Sequence, residues 1–155
     1  ASMALAEAAA FYKAQGKTLW DAMVEMYERY GYYKDDIKSV SLKGIEGLQK
    51  IQEIMDTLRS ETLTEIGGYK VEKVRDYKKD TITDLATGAV TATGLPSSNV
   101  LYYELNDAAW FCVRPSGTEP KVKFYIGVKG SSMEEAEQKY EVLGKAVLDK
   151  INKML

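Results

Sequence analysis

Arg114-Pro115-Ser116-Gly117-Thr118-Glu119-Pro120-Lys121 stands between two strand-like runs, Ala108-Ala109-Trp110-Phe111-Cys112-Val113 before it and Val122-Lys123-Phe124-Tyr125-Ile126-Gly127-Val128 after it. In the second run Val122, Phe124, Ile126 and Val128 recur at period two and share one face, while Lys121, Lys123 and Tyr125 fall on the other. Two such strands joined by a short Gly/Pro loop predict a hairpin in an antiparallel sheet. The loop's residue types suit the gripping of a phosphate. Arg114 offers a planar fork of donors that matches phosphate oxygens two at a time. Ser116 and Thr118 add hydroxyls. Gly117 lets the backbone approach closely and can turn successive N–H groups inward. Pro115 and Pro120 restrict the loop ends, so less entropy is lost when an anion binds. Lys121 and Lys123 leave the loop on one side, and at least one of them can reach a dianion near Arg114. The same residue types also build hairpin loops that bind nothing, and outward lysines keep strands soluble.

Working outward, Val100 to Leu105 reads as a strand, and Asn106-Asp107 as a tight turn into the strand that precedes the loop. Residues 80–99 carry Thr, Gly, Ser and Pro and read as a long irregular loop. Residues 69–78 read as a strand with a bulge near Lys73, after a turn at Gly67-Gly68. Ile45, Leu48, Ile51, Met55 and Leu58 recur at helical spacing. Residues 38–43 read as a strand and 32–36 as a short connector. At the other end, Ser132 with Glu135 is a capping box for a last helix whose apolar stripe is Met133, Ala136, Tyr140, Leu143, Val147 and Ile151.

Residues 4–15 and 18–30 predict two helices. Gly16 caps the first, and Thr18 with Asp21 opens the second. Ala1-Ser2 ahead of Met3 reads as a cloning remnant. The expected division is therefore 1–36, a helical tail of a preceding domain plus a connector, and 37–155, one domain. After the connector the order is strand, helix, four strands, helix. This predicts an α+β domain of two layers, an antiparallel sheet with two helices on one face.

Composition narrows the function. Among 155 residues, 21 Lys and Arg against 23 Asp and Glu give a net charge of −2, without the basic face of a nucleic-acid binder. No apolar run is long enough to span a bilayer as a helix, and no signal peptide is recognisable, so a cytoplasmic protein is expected. There is no histidine and only one cysteine, Cys112, which reads as a buried, inert thiol. With no histidine and no carboxylates at metal-loop spacing, neither a general base nor a metal site stands out.

The run Arg114 to Lys121 followed by Val122-Lys123-Phe124-Tyr125, with Gly94-Leu95-Pro96-Ser97-Ser98-Asn99-Val100-Leu101 and Trp110-Phe111-Cys112-Val113 upstream, resembles the C-terminal domain of the α-D-phosphohexomutases. These are the phosphoglucomutases and phosphomannomutases, and the bacterial type is the most similar. The resemblance covers nearly the whole chain. It implies a TATA-binding-protein-like fold, which says nothing about DNA. It implies an isomerase in which a phosphoserine on the first domain exchanges its phosphoryl group with a hexose phosphate, glucose or mannose 1- or 6-phosphate, through a bisphosphate. Mg²⁺ and a hexose bisphosphate activator are implied for the full enzyme and none for this chain, which lacks the serine, metal and sugar loops. The chain is expected to be inactive alone. Its expected part is to bind the non-transferring phosphate through Arg114, Ser116, Gly117, Thr118 and Lys123, with Lys121 a further candidate. Preceding domains of the same enzyme would be its partners. The alternatives are a stand-alone module that binds anions or phosphometabolites without catalysis, and a structural domain whose loop binds nothing.

Overall fold

In the computed structural model β8 (Lys121–Gly130) has a strand on each flank, with β7 (Trp110–Pro115) on one side and β1 (Tyr32–Ser41) on the other. The structure describes residues 1–155 apart from the side chain of Ile45, whose place in the expected stripe lies outside the described residues. β2 (Glu65–Ile66), β3 (Tyr69–Asp76), β4 (Thr81–Asp84), β5 (Val90–Thr91) and β6 (Leu101–Leu105) complete an antiparallel sheet in the order β1-β8-β7-β6-β3-β4-β5, with β2 beside β3. Helices α3 (Gly44–Ser60) and α4 (Met133–Asn152) cover one face. Between them and the sheet lies one core, built from Ile54, Met55 and Leu58 of α3, Leu143, Val147 and Ile151 of α4, and the inward residues Leu101, Tyr103, Phe111, Val113, Val122, Phe124, Ile126 and Val128. The α+β class and the two-layer arrangement are as the sequence pattern predicts.

The connector expected at 32–36 is strand. β1 begins at Tyr32, pairs with β8 along all ten residues and ends at Ser41, two residues before the expected end. Its inward positions are disguised because lysines occupy them. Lys34 and Lys38 lay their stems toward α4, with ammonium groups 5.6 and 4.9 Å from the Tyr140 ring centroid. Their charges reach Glu137 at 3.1 Å and Glu141 at 3.5 Å. A long basic side chain thus covers apolar surface that hydropathy alone assigns to solvent.

Residues 80–99 are not irregular throughout. β4 and β5 form a hairpin whose turn is held by Asp84, which accepts hydrogen bonds from the Ala86 and Thr87 amides at 3.1 and 2.9 Å. Asp80 accepts from the Thr93 and Gly94 amides at 3.0 Å and orders the next stretch. The expected bulge in β3 is present between Val71 and Lys73. The turn after β6 runs through Asp107 and Ala108, both at positive φ, so β7 begins at Trp110 rather than at residue 108. The expected stripes need two corrections. Leu48 on α3 and Met133 on α4 are exposed, and Ile54 takes the buried position on α3. Neither exposed residue faces the sheet, and a single apolar side chain in water is ordinary.

Two helices precede the sheet. Thr18 and Asp21 form the expected capping box of α2 (Leu19–Tyr30), with Asp21 accepting from the Thr18 amide at 2.7 Å. At α4 the box is displaced. Ser132 accepts from the Glu135 amide, but the Glu135 carboxylate bonds the Ser131 amide at 2.6 Å and its hydroxyl. α1 (Ser2–Ala14) has no buried residue and α2 has only Ala22. The stacked rings of Tyr27 and Tyr32, 5.6 Å apart, tie α2 to β1.

Two outcomes follow from this packing. Amides of residues 2–30 should exchange with solvent well before those of β8, because little burial opposes their local opening. Hydrogen exchange over a concentration series checks this, and equal protection would contradict it. The second concerns Glu135. Hydrogen bonds from Ser131, aided by Lys139, hold its carboxyl at about 2, below the ordinary 4.5. A depressed carboxylate stabilises the fold above its unfolded pKa and loses that contribution as pH falls through the folded one. Wild type and Glu135→Gln should therefore differ in Tm near neutrality and converge between about pH 4.5 and 2.

Candidate functional site

The hairpin between β7 and β8 is closed by backbone hydrogen bonds. The Ser116 N–H donates to the Lys121 carbonyl at 2.7 Å, and the Lys121 N–H to the Glu119 carbonyl at 2.7 Å. The Leu42 N–H donates to the Pro120 carbonyl at 2.8 Å, pinning the loop to the segment that follows β1. The N–H groups of residues 117–119 take no part in these bonds. Gly117 is not in the left-handed region, so the inward nest expected from a glycine is not what fixes this loop. A Cβ at 117 would meet nothing within 4 Å. The glycine therefore leaves open space beside the loop rather than relieving strain.

Arg114 on β7 lies directly opposite Lys123 on β8. Their neighbours Val113, Val122 and Phe124 are in the core, so both charges project from the uncovered face of the sheet. Like charges opposed across an antiparallel pair repel. Neither residue forms an ion pair with a carboxylate among the described residues, whereas Lys121 has Glu119 at 3.2 Å. Ser116 is half-buried, and Thr118 and Arg114 are exposed. The structure thus brings Arg114 and Lys123 together beneath the loop that carries Ser116, Gly117 and Thr118. It sets Lys121 against an acid of the loop itself.

Farther from the loop the uncovered face carries the aromatic residues Tyr102, Trp110 and Tyr125 among polar and charged ones. Cys112 lies between Tyr102 and Tyr125 in register, half-buried on this face and not in the core as the apolar strand suggests. Burial pushes its thiol up to about 11 against the opposing pull of Arg114, so it stays protonated and unreactive at neutral pH. Trp110 stacks on Tyr102 at 5.3 Å, and the Arg75 guanidinium lies 5.8 Å from the Tyr102 ring centroid, with its Nε 2.6 Å from Glu104. Gly127 makes room for Trp110. A Cβ there would sit 2.3 Å from both the Trp110 indole nitrogen and the Asp35 carboxylate.

Sequence reasoning misses Arg59. Its side chain is 5% exposed, its Nε bonds both Asp76 oxygens at 3.2 and 3.3 Å, and its Nη2 reaches Asn99 at 2.5 Å. Asp76 also accepts from the Lys78 amide at 3.0 Å. This knot fixes the end of β3 and the segment that enters β6. The partners are 17 and 40 residues from Arg59 in sequence, and no local pattern announces them. A cavity of about 170 Å³ beside it is lined by Leu58, Asp76, Lys79, Thr81 and Leu101, not by the Arg114 loop. Among the described residues no three His, Cys, Asp or Glu side chains converge.

A family model described as phosphoglucomutase/phosphomannomutase, C-terminal domain, matches residues 59–145, and the chain belongs to that family. The phosphoglucomutase of Staphylococcus aureus strain RF122 is 37% identical over 131 residues, covering 84% of this chain and 24% of that protein. That of strain MRSA252 is 36% identical over the same length. The chain spans about a quarter of the length of these curated relatives. A solved structure of the Paramecium phosphoprotein parafusin, a phosphoglucomutase, in its open form aligns at a TM-score of 0.45 with 14% identity, over 88% of this chain and 23% of that one. At that level the likeness carries no weight beside the sequence matches.

The two glycines separate fold from site. Gly127→Ala should cost about 1–3 kcal/mol, as overpacking does. Gly117→Ala should leave Tm unchanged. Thermal unfolding of both variants checks this, and a large loss at 117 would mean that the glycine shapes the loop.

Proposed function

We propose that this chain is the phosphate-gripping domain of a phosphoglucomutase or phosphomannomutase. It holds the phosphate of a hexose phosphate that is not being transferred, while other domains carry the reacting serine, the Mg²⁺ and the sugar contacts. The supporting observation is the opposed pair Arg114 and Lys123, two cations that face each other without a carboxylate partner under a loop with free amides. A dianion placed between them turns a repulsion into two attractions. Arg114 would supply a bidentate, charge-assisted grip, Lys123 a point charge, and Ser116 and Thr118 neutral donors. Lys121, already engaged by Glu119, would contribute less.

Arg114, Gly117 and Thr118 are exposed, which suits a role as one wall of a larger cleft. Recognition of the dianion alone lets the same grip serve a sugar bound in either orientation. Contacts to this remote group orient the reacting end. In this reading the enzyme works in the cytoplasm, where phosphorylated hexoses are handled. A stand-alone module is disfavoured by the length of the relatives, each about four times that of the matched segment.

Phosphate, sulfate or glucose 6-phosphate should shift the amides of residues 116–118 saturably, with an affinity of about millimolar, on the order of 4 kcal/mol. Arg114→Ala should weaken binding by roughly 1.5–3 kcal/mol, and Arg114→Lys should also lose much of it. Lys123→Ala should cost less. Chemical-shift titrations decide this. Shifts confined elsewhere, or an Arg114→Ala variant that binds as wild type does, would overturn the assignment. In a coupled assay with glucose 1-phosphate, Mg²⁺ and a bisphosphate primer, the chain alone should give no turnover.

A further inference from the structure

We infer that Ser39, on the edge strand β1, is a third donor of the anion site. The inference rests on the reading that Arg114 and Lys123 grip a phosphate. Along β1 the residues alternate between the two faces of the sheet. Lys38 points to α4, where its ammonium group lies 4.9 Å from the Tyr140 ring centroid, and Val40 packs against the core. Ser39 therefore stands on the uncovered face, exposed, and its strand pairs it directly with Lys123. Lys123 is in turn opposite Arg114. Ser39, Lys123 and Arg114 thus form one straight row across three adjacent strands.

The dimensions of the row fit a phosphate. Neighbouring strands are about 4.8 Å apart, so the outer two residues of the row are roughly 10 Å apart at the backbone. A phosphate with a hydrogen-bond donor on opposite sides occupies roughly 8 to 9 Å. Lys123 lies at the middle of this span, Arg114 closes one side, Ser39 closes the other, and the loop closes the end. The next row, Ile37, Tyr125 and Cys112, holds no carboxylate. The first acid of this face on β1 is Asp35, four residues and about 13 Å along the strand. On the loop side the adjacent row is Ser41 and Lys121, and the acid there, Glu119, is engaged by Lys121 at 3.2 Å. Ser39 is thus a neutral donor in a row that itself holds no carboxylate, at the sheet edge where a ligand can enter. The ligand class is a phosphate monoester dianion, held from opposite sides by donors that ignore the ring attached to it.

The test uses the full 155-residue chain, ¹⁵N-labelled, titrated with inorganic phosphate and with glucose 6-phosphate. The amides of Ser39 and Val40 should shift with the same midpoint as those of residues 116–118. Ser39→Ala should weaken both ligands about 2- to 10-fold, the range for one neutral hydrogen bond. Ser39→Asp should weaken them at least about fivefold by placing a carboxylate beside Lys123. Both variants lie on an exposed edge and should keep the wild-type spectrum away from the site. If wild type binds but Ser39→Ala and Ser39→Asp bind equally well, Ser39 is not part of the site, while the grip by Arg114 and Lys123 stands. If no amide of wild type responds to either ligand, the phosphate reading fails and this inference fails with it.

Discussion

The register of β8 governs the molecule. Its inward residues Val122, Phe124, Ile126 and Val128 are all nearly inaccessible to solvent, and its outward ones include Lys121 and Lys123. Side chains alternate strictly along a strand, so a slip of one residue would drive three ammonium groups, those of Lys121, Lys123 and Lys129, toward the core and Phe124 into water. Neither outcome is tolerable, since an unpaired buried charge costs several kcal/mol. The strand is held against such a slip on both flanks, by ten paired residues of β1 and by six of β7. The same constraint that builds the core therefore places Lys123 opposite Arg114. Fold and site are two faces of one ladder.

That placement carries a cost. Two cations face each other at close range with no acid between them, although the chain contains more acidic than basic residues. Some of the other lysines and arginines have carboxylate partners. Lys34 meets Glu137, Lys38 meets Glu141, Arg75 meets Glu104, and Lys150 meets Glu61. Others, Lys43, Lys70 and Lys153 among them, form no ion pair among the described residues. The loop contributes amides that close no turn and a glycine with space beside it. The Leu42 to Pro120 hydrogen bond keeps this loop in place relative to the edge strand.

Much of this was legible in the sequence, and what escaped did so for physical reasons. The hairpin, its outward lysines and the α+β class follow from period-two alternation and turn residues, which are local signals. The capping box at Thr18 and Asp21 is equally local. β1 was half hidden because Lys34 and Lys38 fill inward positions with their aliphatic stems, and a hydropathy pattern counts only their charge. The β4–β5 hairpin escaped because its turn depends on Asp84, whose bonds to two backbone amides are invisible in composition. Arg59 with Asp76 and Asn99, and the row that reaches Ser39, are products of tertiary pairing between distant segments. No single-strand pattern contains them.

A crystal structure of the chain grown with glucose 1-phosphate tests the central claim most directly. The phosphate is expected on the uncovered face of the sheet, within hydrogen-bonding distance of both the Arg114 guanidinium and the Lys123 ammonium group, with loop donors from residues 116–118 completing the shell. The sugar would extend away from the sheet with few contacts to this chain. A phosphate bound instead in the cavity beside Arg59, or an Arg114 side chain turned from the ligand to a protein carboxylate, would contradict it.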